Sequence, residues 1–194
     1  MSAYAIQREK DLVTHEAPRL DASSHMERLR VIYDTHYPFV RRSLRFLGVP
    51  EQDIRDAMQN VFLVVIRRLG EFEERSSMQT WLFGIAVRVA HASRRARIRI
   101  ERLEQTFVPP TPPSVPEDAV AHREAAAVLE QLLNELDDNQ RAVFVMADLE
   151  GMRAHEIAEA LDVKLNTVYS RLRLARAKFE RGLARYRDSP EEAR

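Results

Sequence analysis

The sequence predicts an all-α chain of two small helical domains joined by a proline-rich linker. Three observations lead there. Apolar residues recur at helical spacing along most of the chain, and strong strand alternation is absent. Glycine is scarce, at five in 194 residues. Five prolines (109, 110, 112, 113 and 116) between Phe107 and Asp118 exclude helix and favour an extended, stiff spacer.

The elements follow in order. The first helix spans about Met26–Leu47 and is closed by the break Gly48-Val49-Pro50. The second spans about Glu51–Leu69, with Met58, Phe62, Val65 and Leu69 forming one apolar stripe. Asp53, Asp56, Gln59 and Asn60 lie on or beside its opposite face. Gly70–Ser77 reads as a loop, and Trp81, Ile85 and Val89 stripe a third helix over Met78–Arg102. Beyond the linker, Leu129, Leu132, Leu133 and Leu136 stripe a fourth helix. A fifth, about Asp138–Leu149, stops at Gly151, a residue suited to a C-terminal cap. The last two cover about Arg153–Leu161 and Leu165–Arg185. The expected divisions are a tail at 1–25, domains at 26–103 and 122–187, a linker at 104–121 and a tail at 188–194.

Composition, 45% hydrophobic and 31% charged, fits a soluble globular protein. The absence of cysteine removes disulfides, thiolate zinc sites and cysteine nucleophiles, and fits a reducing cytoplasm. The N-terminus has scattered charges and no apolar core, unlike a signal peptide. The densest apolar run, Val61–Ile66, falls far short of the roughly 20 residues of a membrane span. No membrane insertion and a cytoplasmic location are therefore expected.

A net charge of zero hides strong segregation. Arg88–Arg102 holds six arginines against Glu101, and Lys164–Arg187 holds eight basic residues against Glu180. Glu117–Asp162 carries twelve acids against three arginines. Two basic segments are the footprint expected for polyphosphate.

The stretch AEALDVKLNTVYSRLRLAR (Ala158–Arg176) has the form of a helix-turn-helix, with Asp162 at the corner, where a left-handed backbone is needed. Ile157, Ala158 and Leu161, and then Val168, Leu172, Ala175 and Phe179, point inward. The opposite face presents Asn166, Ser170, Arg173 and Leu174, with Tyr169 at its edge. Arginine and asparagine can pair with base edges and hydroxyls with bases or phosphates. Arg171 and Arg176 flank the apolar stripe, within reach of phosphates or acids.

Taken in order, these parts resemble the extracytoplasmic-function (group IV) sigma factors of bacterial RNA polymerase, over roughly Met26–Arg187. YDTHYPFVRRSLRFLG resembles the start of sigma region 2, DIRDAMQNVFLVVIRRL its polymerase-binding helix, and WLFGIAVRVAHASRR its W-L-x-x-I-A segment. LLNELDDNQRAVFVMADLEGMRAHEIAEALDVKLNTVYSRLRLAR is similar to region 4 almost continuously. The resemblance implies an alternative sigma factor, not an enzyme, with no cofactor or metal. Its implied partners are core polymerase (β′ clamp helices and β flap), promoter DNA in duplex and single-stranded form, and an anti-sigma factor. It assigns Asp56, Gln59 and Phe62, with neighbours Asp53 and Asn60, to polymerase docking. It assigns the loop Phe72–Met78, including Arg75, Ser76 and Ser77, to a pocket for a flipped base, and Arg88, His91, Arg94 and Arg95 to the proximal promoter element. Asn166, Thr167, Tyr169, Ser170, Arg171, Arg173 and Leu174 fall on the helix that reads the distal element. The linker corresponds to the family's connector toward the RNA path.

Four positions depart from the family pattern. Asn60 stands where an acid is usual, Gly84 where a basic or aromatic residue is common, Arg88 where an asparagine contacts a base, and Asp162 where glycine turns the corner. Two other readings fit the sequence less well. A one-component or response-type regulator needs a ligand or receiver domain, and 26–103 has neither alternating strands nor a phosphate-accepting pattern. A metal-dependent nuclease needs clustered ligands. Glu71, Glu73 and Glu74, and Asp148 with Glu150, read instead as solvated loop acids, and the six histidines are dispersed.

Overall fold

The computed structural model describes residues 22–104 and 120–188, with side chains over 25–99 and 125–188. Nearly all of the expected linker and most of both expected tails lie outside the described residues. Seven α-helices are described: α1 Ala22–Phe46, α2 Glu51–Arg68, α3 Met78–Glu104, α4 Val120–Asn134, α5 Asp138–Phe144, α6 Ala154–Leu161 and α7 Leu165–Asp188. No strand occurs among the described residues.

The first three helices pack pairwise. α1 runs through Pro38, whose missing N–H removes one ladder bond, and ends where Gly48 adopts φ +83°. There Val49 N–H donates to the Leu44 carbonyl (3.1 Å) and Gly48 N–H to that of Arg45 (2.8 Å), a Schellman closure that needs the left-handed residue. α2 carries Glu51 and Asp53 in its first turn and Arg67 and Arg68 in its last, each suited to the nearer end of the helix dipole. Met58, Val65 and Leu69 are buried as the stripe predicts, with Ile54 and Val61 beside them, while Phe62 is half-buried. A 3₁₀ turn, Leu69–Glu71, leads into the loop. Ser77 Oγ then accepts from Thr80 N–H (3.1 Å) and caps α3.

α3 is buried more widely than its single predicted stripe. Leu82, Phe83, Ile85, Ala86, Val87 and Ala90 are all buried, because α3 packs against α1 and α2 on one side and α6 on another. A single continuous hydrophobic cluster results, running from Ile32 and Val40 through Phe83 to Val143, Ile157 and Ala175.

In the second half, Asp137 caps α5 by accepting from Gln140 N–H (2.9 Å). The predicted helix over Asp138–Leu149 is present, but its last turn, Val145–Leu149, is π-helical. Gly151 (φ +67°) ends it. Asp162 takes φ 53°, ψ 52° at the corner before α7, the left-handed conformation expected of it. Ile157, Val168, Leu172 and Ala175 are buried, and Phe179 stacks on Phe144 with ring centroids 4.7 Å apart.

Candidate functional site

Helix α2 positions the first group of predicted residues. Asp56, Gln59 and Asn60, three or four positions apart, share its exposed side, and Asp53 stands half-buried in its first turn. Phe62 turns its ring against Tyr33 (4.6 Å between centroids), which in turn meets Tyr37 (5.3 Å). Tyr33, Tyr37, Met58, Phe62, Leu63 and Ile66 line an open cleft of about 370 Å³ with Arg55 and Gln59. Guanidinium and amide groups thus border an apolar groove whose tyrosine, leucine and isoleucine side chains stand exposed. The sequence reading missed Tyr33, Tyr37, Leu63 and Ile66. The four-residue spacing of the tyrosines on α1 is the signal that points to them.

The second group lies on the loop and α3. Phe72 and Trp81 are half-buried against one another (5.1 Å between centroids), so Trp81 packs with the core. Arg75 pairs with Glu73 (2.5 Å), Ser76 and Met78 are half-buried, and Ser77 is occupied in capping. Arg95 is exposed. Arg88, His91 and Arg94 behave differently, because they face the second half of the molecule. Arg88 Nη2 donates to the Ala160 carbonyl (3.3 Å), and Arg94 forms an ion pair with Asp138. His91 Nε2 is buried with no protein partner, in a cavity of about 160 Å³ shared with Gly84, Arg88, Ala160 and Arg171.

The third group is the outward face of α7. Asn166, Tyr169, Ser170, Arg173 and Leu174 are exposed, with Tyr169 at 55% and Leu174 at 46% although both are large and apolar in body. Thr167 is half-buried and accepts from Ser170 Oγ through its carbonyl (3.0 Å). Arg171 turns toward the seam between the halves. Arg176 takes the acid it was within reach of, binding Asp148 through both Nε (3.0 Å) and Nη2 (2.6 Å). That hydrogen bond raises its pKa.

The loop acids are likewise occupied: Glu71 by Arg68, Glu73 by Arg75, Glu74 by Arg28 and Glu150 by Arg42. Arg141 is the residue least expected from sequence. It is 2% exposed, and its Nε donates to the Leu133 carbonyl (2.8 Å) and its Nη1 to that of Leu47 (3.2 Å). Burial lowers its pKa to about 10; the like charge of Arg94 adds to the fall and Asp138 opposes it.

Comparison with known proteins assigns the two halves. Residues 32–100 match the family model of sigma-70 region 2, and residues 126–179 match sigma-70 region 4. The chain belongs to the sigma-70 family. This sigma factor is 32% identical over 153 residues to RNA polymerase sigma factor NccH of Alcaligenes xylosoxydans xylosoxydans, covering 74% of this chain and 80% of the relative. It is 31% identical over 155 residues to ECF RNA polymerase sigma factor SigE of Mycolicibacterium smegmatis, covering 78% of this chain and 60% of that longer protein. Among solved structures, RpoE of Bartonella quintana, crystallised with the anti-sigma factor NepR, superposes with a TM-score of 0.60 at 19% identity over 82% of this chain and 96% of that one, a likeness of fold. The sigma factor is thus an alternative sigma factor of the extracytoplasmic-function group, directing promoter-specific transcription. Its region 2 is formed by α1–α3 and its region 4 by α4–α7.

Proposed function

We propose that this sigma factor docks on the β′ clamp helices of core RNA polymerase through the exposed side of α2, holds the opened promoter strand along α3 and the Phe72–Met78 loop, and reads the distal element with α7. On this reading region 2 spans 26–103, the connector 104–121 and region 4 residues 122–187, with tails at 1–25 and 188–194. Asp53, Asp56, Gln59 and Asn60 supply polar and charged contacts around the apolar groove of Phe62, Tyr33 and Tyr37. That combination of an apolar centre and a charged rim suits a helical partner.

Opening a promoter unstacks bases at a cost of a few kcal/mol each, and binding must supply it, since a transcription initiation factor of this kind has no reaction of its own to draw on. Arg88, His91, Arg94 and Arg95 form the basic track for the strand. Arg173 and Asn166 are the side chains on α7 able to pair with base edges, while Arg171 serves phosphate. Region 4 also meets the β flap. The observation that carries the reading is the exposed polar and arginine face of α7 beyond a buried helix-turn-helix core, joined in one chain to the carboxylate-bearing face of α2.

RpoE of Bartonella quintana was solved with an anti-sigma factor, and this chain is held in check by a partner of the same kind that covers its polymerase- and DNA-binding faces. No helix among the described residues is long and apolar enough to cross a membrane, and the proposed place of action is the cytoplasm. Run-off transcription with purified core polymerase tests the function. A discrete start site on genomic fragments bound by the holoenzyme is expected. Transcription no different from core polymerase alone would rule the reading out.

A further inference from the structure

A cavity of about 730 Å³ opens where the end of α1 and the start of α2 meet α3, α4 and α5. The proposed function touches it only at Arg94. Arginines line it from three helices: Arg41 and Arg45 from α1, Arg94 and Arg97 from α3, and Arg141 from α5. The acids of its wall are Glu51 and Glu130.

Those two acids are shared out thinly. Glu51 serves both Arg41 and Arg45, and Arg45 also takes Glu130 (2.6 Å). Arg94 turns to Asp138, which is not part of the cavity wall. Arg141 receives no carboxylate among the described residues, since its bonds go to the neutral carbonyls of Leu133 and Leu47. A cation 2% exposed is costly to hold without a counter-charge. Burial and the like charge of Arg94 both weigh against its charged form, and Asp138 offsets them only in part. Gly48 lines the same cavity, and a Cβ there would overlap Arg141 Nη1. The bare backbone is what admits the guanidinium to this position.

The wall selects among anions. A guanidinium fork matches phosphate or carboxylate oxygens, but forks arriving from three helices exceed what a single carboxylate can accept. Linked phosphoryl groups offer many acceptor oxygens and several negative charges at once. Phe46, Val49 and Pro50 give the cavity an apolar side, and Asn134 adds an amide. Its volume falls within the roughly 300–1,000 Å³ of small-molecule sites.

We infer that this cavity binds a small ligand carrying two or more linked phosphoryl groups, either free pyrophosphate or a nucleoside polyphosphate. Arg41, Arg45, Arg97 and Arg141 hold the phosphoryl oxygens, and Phe46 and Asn134 face the organic part of a nucleotide. The inference is independent of the promoter-binding reading.

Isothermal titration calorimetry of the full chain tests it, with pyrophosphate, magnesium-free ATP, orthophosphate and citrate at fixed ionic strength. One equivalent of pyrophosphate or ATP should bind, at least about tenfold tighter than orthophosphate, a factor that one further charge-assisted hydrogen bond supplies. Arg41→Gln and, independently, Arg97→Gln should each weaken that binding at least about tenfold. Both side chains reach solvent, so neither change empties the core. Arg181→Gln, at an exposed position of α7, should leave affinity unchanged. Tighter binding of ATP than of pyrophosphate would make a nucleotide the ligand, and equal affinities the pyrophosphate group alone. No binding of either probe, or affinities untouched by both cavity substitutions, would overturn the site. An equal loss in Arg181→Gln would overturn it too, by reducing the effect to net charge. Citrate binding as tightly as pyrophosphate would overturn the phosphate assignment. Displacement of bound pyrophosphate by single-stranded DNA would overturn the small-ligand assignment and give the cavity to the promoter strand.

Discussion

Gly48→Ala should be among the most destabilising single-methyl additions to this protein, and its magnitude follows from two separable effects. Gly48 holds φ +83° to close α1, and a left-handed conformation costs a non-glycine residue about 1–2 kcal/mol. The new Cβ would also overlap Arg141 Nη1 and stand 3.1 Å from its Cζ. A guanidinium at a surface would swing aside, but Arg141 is 2% exposed and tied to the Leu133 and Leu47 carbonyls. Displacing it breaks a hydrogen bond from a charged donor, worth about 1.5–3 kcal/mol. The sum, about 2.5–5 kcal/mol, is a large part of the 5–15 kcal/mol typical of a native fold. Urea unfolding of the full chain, followed by the fluorescence of the single tryptophan, Trp81, and by far-ultraviolet circular dichroism, measures it. The decisive comparison is Gly48→Ala in an Arg141→Met background, where only the backbone strain should remain. A coupling of about 1.5–3 kcal/mol is expected. Additivity within about 0.5 kcal/mol would refute the idea that Gly48 is kept bare for Arg141.

Asp56→Arg should weaken binding to core polymerase at least about tenfold, near 1.4 kcal/mol, by placing a like charge in a complementary surface; an unaltered dissociation constant would remove α2 from the docking face. Arg173→Ala should cost about 1–3 kcal/mol in affinity for duplex distal-element DNA while sparing core binding, and equal losses in both titrations would contradict a base-reading role. Burial holds the His36 imidazole below its ordinary 6.5, so the unfolded chain takes up the proton first as pH falls. Stability contributed by neutral His36 is full above pH 6.5 and declines below it until the folded pKa is passed. The pH dependence should be shallower in His36→Gln, and identical profiles for the two proteins would argue against this.

Helices were the most legible part of the sequence, because period and punctuation agree: Gly48-Val49-Pro50, Ser77, Gly151 and Asp162 all sit where the chain turns. The surface of α7 was legible for the same reason, since its buried stripe of Val168, Leu172 and Ala175 fixes what must point outward. Interfaces between distant segments were not. The wide burial of α3 follows from the arrival of α6, which no local pattern announces. Arg141, the lone arginine of its acidic neighbourhood until Arg153, gives no sequence sign that it will bind two helix-terminal carbonyls. Nor does periodicity predict the π-helical turn at Val145–Leu149, where one extra residue enters an otherwise ordinary apolar pattern.

What holds the halves together can be ranked by burial. The ion pairs of Arg42, Arg45 and Arg94 have guanidinium sides 51%, 42% and 39% exposed, where a pair contributes about 0–1 kcal/mol and weakens with salt. They set register more than strength. The shared apolar cluster and the Arg141–Leu47 bond are shielded from solvent, and they carry the larger share of the hold. Salt alone should therefore loosen the seam without parting it. A partner able to part it must exchange buried area for buried area, and the cleft of Tyr33, Tyr37 and Phe62 beside Arg55 and Gln59 of α2 is an exposed apolar surface already available to one.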